Sequence, residues 1–164
     1  MPDDLKAPSE PQAAGAAVDT SIKPSFFQLR AQLLDDGRSN TPIAETDNMW
    51  ARLKVYASGG ENTLHAHPNE DHMFIILAGE ATFYGPQGEE KPLGRNEGIM
   101  LPAGSFYHFQ ATSEEPLVLL RIGCGANDRQ NHLKRLAIDG GPLPGKSKAN
   151  KWKAPVYRAN EYYE

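Results

Sequence analysis

The chain has 164 residues, 17 Lys plus Arg against 21 Asp plus Glu, and a formal net charge of -4. With 39% of residues apolar and 23% charged, it reads as one globular domain, and no apolar run approaches the roughly 20 residues of a membrane span. Mild acidity without a Lys or Arg block argues against a phosphate-backbone partner, so neither nucleic acid nor membrane is expected as one.

Residues 1–23 are rich in Ala, Pro, Ser, Asp and Glu without a hydrophobic period, which describes a flexible tail. Acids at Asp3 and Asp4 stand where a signal peptide carries basic residues. The single cysteine, Cys124, cannot close an internal disulfide or build a thiolate zinc site alone. Together they lead to the expectation of a cytoplasmic protein.

Residues 24–48 read as a short helix and a lead-in segment. Phe26, Leu29 and Leu33 fall at helical spacing beside Phe27 and Leu34, with Ser25 as N-cap and Gly37 as the stop. From Met49 the period becomes two. Trp50, Arg52, Lys54 and Tyr56 share one strand face, and Ala51, Leu53, Val55 and Ala57 share the other.

Short strand-like runs follow near 63–66, 72–77, 81–84, 98–101, 107–110 and 117–122, separated by Gly- and Pro-rich turns. Residues 49–124 are therefore expected to form an all-β antiparallel sandwich or barrel. Residues 125–164 lose the pattern and read as a C-terminal extension, packed on its own barrel or crossing to a neighbouring subunit. Edge strands that need covering, with two long arms to cover them, point to a homodimer.

His65, His67 and His72 lie within eight residues of one another. On a strand, residues two apart point to one face, and the turn after His67 returns His72 on the next strand. Three imidazoles placed this way suit one divalent transition metal with coordination positions left open. Imidazole nitrogens suit Fe, Ni, Cu and Zn alike.

The spacing from Gly59 through His65, His67 and His72 to Gly79 resembles the first motif of the cupin superfamily, with His72 standing where the family has its Glu ligand. The stretch from Asn96 and Glu97 through Pro102 and Gly104 to Tyr107 and His108 is similar to the second. The resemblance implies a small jelly-roll barrel and a metal held by His65, His67 and His72. The fourth ligand would be His108 if a bulge intervenes. Without a bulge Tyr107 faces the metal, as weak ligand or hydrogen-bond donor. A register change would bring Asp71 in place of His72. Loss of the family's carboxylate leaves the site about one charge more positive, which favours anionic ligands.

Facing inward, Arg52 and Tyr56 would orient a carboxylate or phenolate, with Arg121 at the end of the last strand. Facing outward, they would be solvated strand residues. The resemblance implies a metal-dependent enzyme, a dioxygenase-type oxidoreductase or else an isomerase, with iron favoured and Ni, Zn, Mn or Cu as alternatives, acting on a small anionic or oxygenated molecule. The alternative is a non-catalytic binding or sensing barrel with a structural metal. Cys124 reads as an inert thiol, and His132 as a surface residue of the extension.

Overall fold

The computed structural model describes residues 18–57, 61–125 and 134–164. Among the described residues there are twelve strands and no helix. Residues 1–17 of the expected tail and His132 lie outside them.

One sheet holds five strands, in the order β2 (Arg38–Glu45), β3 (Met49–Tyr56), β10 (Leu117–Gly125), β5 (Glu70–Ala78) and β8 (Gly98–Leu101). A second holds β7 (Glu90–Leu93), β6 (Ala81–Tyr84) and β9 (His108–Ala111). Two small ribbons complete the set: β11 (Leu136–Ala137) on β4 (His65–Ala66), and β1 (Ala31–Asp36) on β12 (Val156–Tyr163). Every pairing is antiparallel, and an all-β fold follows, as the short runs and turns predict. Asn96 and Gly104 both take positive φ, 67° and 85°, the left-handed turn geometry that Asn and Gly accept most readily.

The two larger sheets close on an apolar interior that includes Phe74, Ile76, Phe83, Phe109, Leu117 and Leu119. The five-stranded sheet is apolar on its other face as well. There Leu53, Val55 and Val118 pack beneath Ala31 and Leu34 of the β1 ribbon. Each of these large side chains is fully buried, a burial worth roughly 1.5–3 kcal/mol apiece. Covering that face frees the opposite face of β3, with Arg52, Lys54 and Tyr56, to line the interior. The alternation of β3 was legible, but its apolar face looks away from the barrel interior.

The expected helix near residues 25–36 is not present. Residues 31–36 are β1, which pairs with β12 in the register Ala31 to Tyr163 and Leu34 to Tyr157. Register shifts follow Gln32 and Leu34, so the buried residues Ala31 and Leu34 fall three apart. A bulged strand thus imitates a helical period. Phe26 and Phe27 are exposed, and Gly37, at φ 75°, turns the chain from β1 into β2. The C-terminal extension packs on its own chain through β12.

Candidate metal centre and cavity

The histidine motif sits where β4 and β5 face one another inside the barrel. His65, His67 and His72 are all buried, and so is Glu70. On β5 the burial alternates, so Glu70 and His72 point inward while Asp71 points out. Asp71 Oδ1 accepts the Ala103 backbone N–H at 2.7 Å. The register change that would bring Asp71 inward is absent, because β5 pairs with both neighbours on the frame that buries His72.

His67, Glu70 and His72 bring their ligand atoms within 4.8 Å of one another. His72 Nε2 donates to Glu70 Oε1 at 2.5 Å, and Glu70 Oε2 accepts Trp50 Nε1 at 3.4 Å. His67 Nδ1 lies 3.7 Å from Glu70 Oε1 and is buried with no hydrogen-bond partner. Burial, reinforced by the Arg121 charge, drives the pKa of His67 far down and that of His72 to about 4. Both imidazoles are therefore neutral at neutral pH, the form that binds metal. A carboxylate and two neutral imidazoles, one of them with an orphaned ring nitrogen, fit a divalent transition metal.

His65 lies beside this cluster without joining its 4.8 Å group. Its ring centroid is 5.1 Å from that of His67, and its Nδ1 donates to the Thr63 carbonyl at 2.6 Å. That bond fixes the tautomer and leaves Nε2 as acceptor. Burial also depresses the His65 pKa, to about 3.

The motif spacing does not single out Glu70. Counting back from Gly79 reaches His72, and residues 68–71 then look like a turn. The signal available was parity: two residues before an inward His72, a strand residue is inward too. The carboxylate missing at position 72 is present at position 70, and the site does not carry the extra positive charge expected from its loss.

Of the two candidates from the second motif, Tyr107 is the interior residue. It is buried, bridges His65 through paired backbone hydrogen bonds, and its ring lies 4.7 Å from that of His65. Burial raises its pKa, so the hydroxyl keeps its proton. His108, next in the strand, stacks on Tyr84 at 4.7 Å, on the opposite side of the backbone from Tyr107. No bulge interrupts the β6 to β9 register there.

A cavity of about 400 Å³ opens beside the cluster. Arg52, Tyr56, His65, Tyr107 and Arg121 all line it. Arg121 is mid-strand on β10 rather than at its end, and links cavity to cluster. Its Nη2 lies 3.1 Å from both ring nitrogens of His72 and 3.4 Å from His67 Nε2. A metal held by these nitrogens requires the guanidinium to turn toward the cavity. Cys124 is exposed at the far end of the same strand.

Residues 52–123 match the family described as Cupin_2, the cupin domain. The uncharacterized protein YdbB of Bacillus subtilis (strain 168) is 30% identical over 77 residues, 47% of this chain and 66% of that protein. The chain thus spans just under two thirds of that relative's length. Among solved structures, KdgF from Halomonas sp. superposes with a TM-score of 0.55 at 17% identity, over 66% of this chain and 99% of that one. BH2720 from Bacillus halodurans also gives 0.55 at 17%, over 67% and 87%. The DMSP lyase DddQ from Ruegeria pomeroyi DSS-3 gives 0.51 at 22%, over 63% and 53%. At these identities the likeness is one of fold.

Proposed function

From the match of residues 52–123 to the cupin domain, we propose that this protein is a metal-dependent enzyme, of dioxygenase type, acting on a small anionic or oxygenated organic molecule. The observation that carries the reading is the buried His67, Glu70 and His72 cluster, joined through Arg121 to a cavity of substrate size. A divalent transition metal bound there, iron in first place, supplies Lewis-acid and redox chemistry that side chains lack.

The chain's own residues do the rest. Glu70 supplies the negative charge that offsets a dication, and Trp50 holds its second oxygen. His65 is fixed in one tautomer by the Thr63 carbonyl and presents Nε2 as an acceptor. Arg52 offers a planar two-pronged donor to a carboxylate or phenolate. Tyr56 and Tyr107, both with pKa raised by burial, stay protonated and donate hydrogen bonds. Phe74 and Phe109 wall the cavity and limit water.

A second reading, a binding or sensing barrel, is favoured by the position of Arg121, whose guanidinium places a cation against the same imidazoles. Oxygen uptake separates the two. Metal-loaded protein is expected to consume O2 with some member of a catechol, thiol and diketone panel, and His67→Ala is expected not to. Uptake by neither form favours the binding role. The homodimer and cytoplasmic location belong to the same proposal, the first testable by sedimentation. No helix among the described residues is long and apolar enough to cross a membrane.

A further inference from the structure

Arg52 on β3 and Arg121 on β10 are direct cross-strand partners, and both line the cavity. Like charges directly opposite one another destabilise a sheet. The crowding goes further, because Arg38, Lys54, Arg135 and Lys146 line the same cavity and, among the described residues, no Asp or Glu does.

Arg38 is committed elsewhere, donating to the backbone carbonyls of Glu61, Gly145 and Asn150. Arg121 reaches only the ring nitrogens of His67 and His72 and, at 4.0 Å, Glu70, while Arg52, Lys54 and Arg135 have no hydrogen-bond or ion-pair partner among the described residues. The Nε atoms of Arg52, Arg121 and Arg135 are buried with no hydrogen-bond partner, and Arg121 as a whole is only 4% exposed. The fully buried carboxylates among the described residues are Glu61 and Glu70. Glu70 is engaged by His72 and Trp50 and stands 4.0 Å from Arg121. Burial, and the four guanidinium groups around it, hold the Lys54 amine well below its usual range.

Unpaired buried donors and opposed like charges are costly, and a protein retains them where a ligand supplies the missing acceptors. We propose that this cavity binds a small molecule bearing at least two anionic carboxylate or phosphate groups, held by Arg52, Lys54, Arg121 and Arg135. One monoanion leaves most of these donors unmatched; two or more anionic groups can meet the cross-strand arginine pair and Arg135 together. The inference rests on the proposed function for the cavity's role as substrate site, but the anion site requires no metal.

The test is calorimetric titration of the full chain, stripped of metal by a chelator and dialysed, with benzoate, succinate, citrate and inorganic pyrophosphate. Affinity is expected to rise with anion charge, and a preference for citrate or for pyrophosphate identifies carboxylate or phosphate as the better match. Arg52→Gln is expected to weaken the best probe about tenfold or more, and also to raise the thermal midpoint of the ligand-free protein by relieving the repulsion with Arg121. A residue of purely structural value would not give that opposite pair of effects. Lys54→Met serves as a second variant. Benzoate binding as tightly as citrate and pyrophosphate, or unchanged affinity in both variants, overturns the proposal. Elemental analysis keeps the two readings apart: a wild-type chain that binds the anion yet takes up no metal on reconstitution would remove the metal reading alone.

Discussion

Glu70 and His72, two residues apart on β5, meet inside the barrel with Nε2 2.5 Å from Oε1. Both are buried, so the strand itself sets a carboxylate and an imidazole side by side in the interior. Glu70→Gln keeps the shape and removes the charge. It is expected to lower affinity for a divalent transition metal by at least the roughly 10–100-fold that follows loss of a supporting group around a metal, measured by competition with a chelating dye.

The two second-motif candidates give separable outcomes. Tyr107→Phe removes a hydroxyl at the cavity wall, and is expected to weaken ligand binding while metal content stays. His108→Ala removes a ring stacked on Tyr84, and is expected to change neither. Metal titration and calorimetry on both variants check this.

The ribbon that covers the outer face of the five-stranded sheet is testable at Leu34, which has no exposed surface. Leu34→Ala is expected to cost about 2–5 kcal/mol of unfolding free energy. Gly37→Ala should also destabilise, since a Cβ there would meet the Ala154 carbonyl oxygen at 2.0 Å and φ is 75°. Denaturant unfolding gives both values.

Glu61 sets a pH dependence of known sign. Burial pushes its pKa up to about 7 from an ordinary 4.5. Between those values the folded chain holds a proton that the unfolded chain has released, so this group's contribution to stability falls as pH rises through the window. Glu61→Gln is expected to remove that slope and to be the more stable form above pH 7, by on the order of 2 kcal/mol. Unfolding curves across the window decide it.

Much of the fold was legible, and the reasons for the rest are local. Period-two alternation and turn residues marked β3, β5, β6, β8 and β10, whose partners lie close in the same pattern. Strand β1 imitates a helical period because two bulges space its buried residues by three, and its partner β12 lies at the other end of the chain. The three histidines were found by spacing, whereas Glu70 was hidden in an apparent turn. The orientation of Arg52 and Lys54 could not be read from alternation, since that face became interior only because the β1 ribbon buries the apolar one.

The central claim is that His67, Glu70 and His72 hold a metal, and elemental analysis of the purified chain tests it most directly, beside a His67→Ala, His72→Ala double variant. Near-stoichiometric iron or another divalent transition metal in the wild type, absent from a folded double variant, is the predicted result. Wild-type protein without metal after reconstitution, or a double variant that retains it, would contradict the claim.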